Sequence, residues 1–389
     1  MYIWDGHDLE NKAKTAIPEK VDLGVGAAAF CLALTGANPA RPHMLTMNAS
    51  NTHAIISFVA SGHVLFLNAK TRQPVACIRT SVGSTGARQV HQSFPSPDET
   101  YVAVANQNGK LYERINTHYP SNTFVLDHAA RIDLALCITP NGLACQSLAL
   151  RPDNAPICPI IDSSSVYNFV TLRGGGLFII DGKSTPMRIV AEYDKATVHP
   201  NGCLGAQAGN KMYINSGGGT AANLYEADLY AFPLGPGVYS AANPPNTPAP
   251  KVVFSEDVEH ADAHRAALTR NNRYLWVADR GRNFIFVVDT GNDQIVNRIN
   301  LVGTQSQDPT PDLLFLSPNG GHMFTSLRGP NPLTADPHVS TGTTPGVGVL
   351  KVTEGGRNAK VESIAAMTNV DAGGVERADA HALWVRLKN

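Results

Sequence analysis

Charge is scarce in this sequence. Only 16% of its 389 residues are Asp, Glu, Lys or Arg, against about a quarter in an ordinary globular chain. The formal net charge is −1. No basic excess is available to neutralise phosphates, which excludes nucleic acid as a partner. Long apolar runs are missing as well: none approaches the ~20 residues that a membrane-spanning helix needs, so no membrane span is expected. The six cysteines, Cys31, Cys77, Cys137, Cys145, Cys158 and Cys203, include no CxxC pair, which removes the usual signal of structural zinc. GxxxxGK and GxSxG are absent. Gly24-Val25-Gly26-Ala27-Ala28-Ala29 imitates a dinucleotide fingerprint, but no strand–turn–helix context follows it. Few stretches read as long amphipathic helices.

Short β-rich runs bounded by Gly, Asn, Asp and Pro fill the chain instead. The clearest unit is residues 264–299. His264 opens one strand, Asn271-Asn272 turns it, and Tyr274 to Ala278 is the second strand; Gly281-Arg282-Asn283 leads to a third, Phe284 to Asp289, and Gly291-Asn292-Asp293 to a fourth ending at Ile299. Four strands joined by three tight turns make one propeller blade. A ten-residue step recurs from His43 to His53, His91 to Tyr101, His264 to Tyr274, Asp312 to His322 and Asp371 to His381. Looser copies begin at Cys158-Pro159 and at His199. The starts at 43, 91, about 158, 199, 264, 312 and 371 are 41 to 67 residues apart, against ~40–50 for known blade repeats. Proline-rich insertions at 232–250 and 329–345 account for long spacings.

The expected fold is all-β: a seven-bladed β-propeller in one domain, residues 1–389. Tyr2-Ile3-Trp4-Asp5 supplies the strand that the last repeat lacks, so residues 1–18 are expected to pair with 382–389 and close the ring, removing both sheet edges. The segments Arg280-Gly281-Arg282-Asn283, Val288 to Asn292 and Val104 to Gly109 resemble the YVTN-type propeller repeat. That resemblance covers most of the chain and implies a seven-bladed fold of the kind found in lactonase-like and surface-layer proteins.

In a propeller the innermost strands line an axial channel, so residues at the blade-start position converge. That position reads His43, His91, Cys158 or Pro159, His199, His264, Asp312 and Asp371. Imidazole is the usual ligand of copper, zinc and iron. His43, His91, His199 and His264 are therefore the expected metal ligands. Asp312 and Asp371 are carboxylates to orient them or act in catalysis. Glu256 to His264 packs four carboxylates and two imidazoles into nine residues, which adds His260 as a ligand and Asp262 as a general base. Glu376-Arg377-Ala378-Asp379-Ala380-His381 echoes that stretch, but the ten-residue register places His381 with His53 and His322 at the opposite face, in structural roles. A histidine-lined channel resembles the copper propellers nitrous oxide reductase and thiocyanate dehydrogenase. It implies a metal-dependent oxidoreductase, copper favoured, acting on a small molecule in the channel. A metal-free lactonase-like hydrolase and a non-catalytic binding scaffold are the competing readings. Low charge, Asn/Thr/Ser/Gly-rich loops and a start without a leader suggest a trimmed, exported protein, periplasmic or secreted, with Cys137–Cys145 as the expected disulfide.

Overall fold

The computed structural model describes residues 1–139, 142, 144, 149–220, 222–240, 247–333 and 341–387. Its strands form consecutive antiparallel meanders. The first sheet contains Pro42–Met47, His53–Phe58, His63–Asn68 and Pro74–Arg79. The third runs from Pro156–Ile161 to Arg188–Tyr193, the fourth from Ala206–Ala208 to Lys251–Glu256, the fifth from Ala263–Leu268 to Gln294–Asn300, and the sixth from Pro311–Leu316 to Asn358–Ala366. The second, from Val90–Pro95 onward, carries a fifth strand, Ile132–Asp133.

Middle strands such as Tyr274–Asp279 and Phe284–Asp289 are apolar on both faces because sheets cover both sides. Cores therefore form between neighbours. Ile55, Phe66, Val102 and Val104 join sheets one and two, and Trp276, Val287, Leu314 and Met323 join sheets five and six. First strands of successive sheets pack on one another, which makes them the innermost layer. The ten-residue step has a local cause. The backbone N–H of Asn48, Ser96, Asp162, Thr269 and Ser317 donates to the carbonyl five residues on, so each first hairpin closes in the same register. By that register the third sheet starts at Ile157, one residue before the expected Cys158.

The all-β propeller architecture is as expected, but the seventh unit is built differently. Tyr2–Ile3 pairs with Glu19–Lys20, forming a two-stranded ribbon rather than a ladder with the C-terminal segment. Helix Gly6–Lys12 lies between these two strands, and helix Ala28–Thr35 packs on the last strand of the first sheet. The expected pairing of 1–18 with 382–389 is therefore corrected; residues 388–389 lie outside the described residues. Side chains make the connection instead. Trp4, Leu383 and Val385 pack with Phe324 and Val347 of sheet six, and Met1 and Trp384 pack with the core of sheet one. Arg386 donates to the carbonyls of Asn51 and Ala69.

Two disulfides tie the described structure: Cys31–Cys77 fastens helix Ala28–Thr35 to the first sheet, and Cys158–Cys203 joins sheets three and four at the innermost layer. The expected Cys137–Cys145 bond involves Cys145, which lies outside the described residues.

Candidate functional site: a four-histidine axial cluster

The innermost strands share one irregularity. Pro42 pairs with Phe58 and Met44 with Ser57, which leaves His43 as an extra residue; Val90 pairs with Asn106 and Gln92 with Ala105, which leaves His91 as another. The ladders of Ala263–Leu268 and Pro311–Leu316 shift in the same way across His264-Arg265 and Asp312-Leu313. A β-bulge bends its strand and re-aims the inserted side chain. Four bulges thus turn three imidazoles and one carboxylate out of their ladders into a common cluster.

His43 Nε2 lies 3.2 Å from His91 Nε2. The fourth imidazole is His381, whose ring centroid is 4.4 Å from that of His43 and 5.3 Å from that of His264. Asp312, fully buried, is shared by the last two. Its Oδ2 lies 2.5 Å from His381 Nδ1, and its Oδ1 is in close contact with His264 Nδ1. Arg328 Nη1 also lies 3.1 Å from His381 Nδ1, but the carboxylate is nearer and can only accept, so Nδ1 of His381 carries the proton and Nε2 keeps the lone pair. That Nε2 is buried and has no hydrogen-bond partner among the described residues. Arg328 Nη1 donates to Asp312 Oδ2 at 2.8 Å, and its Nε and Nη2 each reach Asp379 at 2.7 Å. Arg280 grips Asp262 through Nε at 2.6 Å and Nη2 at 2.9 Å, while its Nη1 stays 3.9 Å from Asp312. Three carboxylates against two guanidiniums leave this network one negative charge.

Burial keeps the imidazoles neutral. Loss of water, then the neighbouring His381 and His91, hold His43 well below the usual histidine range. Desolvation, then His381 and His264, bring His91 down to about 3; desolvation and Arg280 bring His264 to about 3, against the pull of Asp312. His381 is lowered by burial as well, despite Asp312. Burial would raise Asp312, but His264, His381, Arg328 and Arg280 overcome it and keep the carboxyl ionised. The result is a set of neutral nitrogen donors held by an anion.

Below this tier, three residues beyond His91, Asp312 and His381, stand Phe94, Phe315 and Trp384, all partly exposed and in ring contact through Trp384. Arg265 lies over Phe315 at 4.5 Å. The Cys158–Cys203 bond forms another part of the wall, with Cys158 Sγ 3.9 Å from His91 Nδ1.

His43, His91, His264 and Asp312 therefore come together. Asp262 is close by, but its carboxylate is committed to Arg280. His199 is elsewhere: it precedes the short strand Ala206–Ala208 and bonds Glu226 and Asp228. Its looser spacing is the reason, since it is not part of an innermost strand. His260 is exposed beside Tyr225 and Glu259. Asp371 caps an exposed turn, accepting from the N–H of Gly373 and Val375 and pairing with Arg377. His53 is bonded to Asn122 and Thr52, and His322 is paired with Glu362, both away from the axial cluster. His381 is the correction: it is not with them but in the axial cluster, because residues 381–385 occupy an innermost position rather than a second strand. A signal was present in the sequence. Ala378-Asp379-Ala380-His381 repeats Ala261-Asp262-Ala263-His264 letter for letter, and in both the Asp grips a buried Arg while the His enters the cluster.

Among solved structures, the chain resembles one in a crystal structure of the mitotic checkpoint complex, with a TM-score of 0.55 and 11% identity over 84% of this chain and 77% of the other. It also resembles a functionally unknown protein from Desulfotomaculum acetoxidans, with a TM-score of 0.51 and 10% identity over 80% and 78%. At such identities the likeness extends to the fold alone. No protein-family model matches, and no curated protein matches by sequence.

Proposed function

We propose that the axial cluster holds a transition metal, copper favoured, and that the protein is a metal-dependent oxidoreductase acting on a small molecule that reaches the cluster along the channel. The observation that carries this reading is the convergence of His43, His91, His264 and His381, with the Nε2 atoms of His43 and His91 3.2 Å apart. Two nitrogens bound to one ion by bonds of ~2.0–2.1 Å stand about 3 Å apart. Neutral nitrogen donors without a thiolate suit copper and zinc, and copper binds such sets most tightly. The unpartnered Nε2 of His381 fits a missing ligand. In this reading the ligands are drawn from the four histidines, of which His264 and His381 have ligand atoms within 4.8 Å of one another and of Asp312; Asp312 fixes the ring of His381 and faces that of His264, and Arg328 and Arg280 keep Asp312 ionised. A bound copper ion would supply one-electron chemistry. His91, the most exposed of the four, leaves an approach for the substrate. Disulfides are at home in oxidising compartments, which supports a periplasmic or secreted location.

Metal analysis of protein purified without an affinity tag, then exposed to copper and desalted, tests the proposal. About one or more equivalents of copper, lost in His43→Ala and His91→Ala, is the expected result. Protein that stays metal-free after exposure refutes it. One observation favours a second reading. His381, oriented by Asp312 and with its Nε2 unpartnered, is also the arrangement of a general base in a metal-free, lactonase-like hydrolase. Lactone hydrolysis that survives chelation and is lost in His381→Gln would select it.

A further inference from the structure

A second group of ligand-type side chains lies apart from the contacts of the axial cluster. Glu226 and Asp228 sit two residues apart on the strand Tyr225–Pro233, which puts both on one face of the fourth sheet. His199 meets them from the segment ahead of that sheet. Its Nδ1 is 2.9 Å from Asp228 Oδ2 and 3.2 Å from Glu226 Oε2. We propose that His199, Glu226 and Asp228 form a separate metal site that takes one divalent cation of the manganese or zinc kind.

Three observations carry this. The separations, 2.9 and 3.2 Å, are close to those of ligands sharing an ion: bonds of about 2.1 Å at tetrahedral to octahedral angles place neighbouring donor atoms about 3.0–3.4 Å apart. Two acids share one imidazole here, and burial holds Asp228 above the usual carboxylate range. Both carboxylates are buried, and among the described residues the half-exposed His199 is the one cationic group within ion-pair distance of either. Ionising both carboxylates would leave a negative charge out of water even beside a protonated imidazole, and a divalent cation would offset that cost. Finally, Asp228 Oδ1 is buried without a hydrogen bond, although the Ser255 hydroxyl also faces this carboxylate. The surroundings orient the ligands as metal sites require. Asn223 donates to Glu226 Oε1, and the Tyr230 hydroxyl donates to Asp228 at 3.1 Å while accepting the N–H of His199 at 3.2 Å. Two carboxylate oxygens and one imidazole make a harder donor set than four imidazoles, hence manganese or zinc rather than copper. The site borders the fifth sheet, since Glu226 bridges Asp262 and its N–H donates to Ala261.

The test is a titration of chelator-stripped whole protein with Mn²⁺, followed by loss of the free-ion EPR signal, with Zn²⁺ as competitor. One equivalent bound at micromolar concentrations is expected, displaced by Zn²⁺, weakened at least tenfold by Glu226→Gln, and unchanged by His43→Ala. His199→Asn, at a half-exposed position, serves if Glu226→Gln fails to fold. Neither ion binding below millimolar concentration overturns the proposal, as does Mn²⁺ binding abolished by His43→Ala but kept in Glu226→Gln or His199→Asn. Failure of copper at the axial cluster with Mn²⁺ binding intact would sink only the axial reading, and the reverse result only this one.

Discussion

The axial cluster and the His199 group use the same residue types to opposite ends. In the first, one carboxylate is spread over two imidazoles and overlooked by two arginines, and water is excluded, so the imidazoles are held neutral. In the second, two carboxylates crowd one half-exposed imidazole: hydrogen bonds donated to Asp228 and Glu226 raise His199 to about 10 against the pull of burial. Burial is the largest influence on the axial imidazoles, whereas hydrogen bonds to two carboxylates outweigh it at His199.

The harshest way to break this contrast is Arg328→Met. Arg328 is fully buried and is the link between Asp312 and Asp379. Its loss leaves two carboxylates short of a counter-charge, at a cost of about 3–5 kcal/mol read from urea unfolding. A loss below about 1 kcal/mol would mean that the network is solvated.

The pH dependence of metal-free protein sharpens the contrast. His91 and His264 bind protons less readily folded than unfolded, so their contribution is complete above about pH 6.5 and fades as pH falls toward about 3. His199 binds its proton more readily folded, so its contribution is complete below about pH 6.5 and fades as pH rises toward about 10. His91→Asn should flatten the acid limb of the stability curve and His199→Asn the alkaline limb, with the acid limb the steeper because several imidazoles share it. Both substitutions acting on one limb would show that the two groups are not electrically distinct.

The smallest effect belongs to Asp371, exposed and, among the described residues, paired within its own turn and to Arg377. Asp371→Asn should leave metal content, activity and melting temperature unchanged. Any loss of bound copper would place that turn at the mouth of the site.

The sequence revealed the repeat because the first hairpin closes in one register five times over, which stamps a ten-residue step onto the chain. The same step misplaced His381. At the last repeat, Asp371 to His381 matches the spacing by coincidence, whereas the geometry follows the Ala-Asp-Ala-His echo. The clustering of His43, His91 and His264 was legible because each occupies a bulge at an equivalent position. The bulges themselves were not, since a one-residue slip in pairing leaves no mark on composition. Arg280 and Arg328 escaped notice for a related reason: each follows a second strand directly, where the sequence shows only Arg-Gly at an ordinary turn, and its carboxylate partner is known only once sheets are stacked.

The contact between His43 and His381 has a consequence in time. A ribosome makes His43 early and His381 more than 300 residues later. Sheets one and two can stack and bring two imidazoles together long before the rest exist. In the proposed metal site, coordination by all four nitrogens would wait until the fifth sheet and the final segment dock. An ion needing all four ligands would thus be captured only by a finished molecule, and its retention would report the wholeness of the chain.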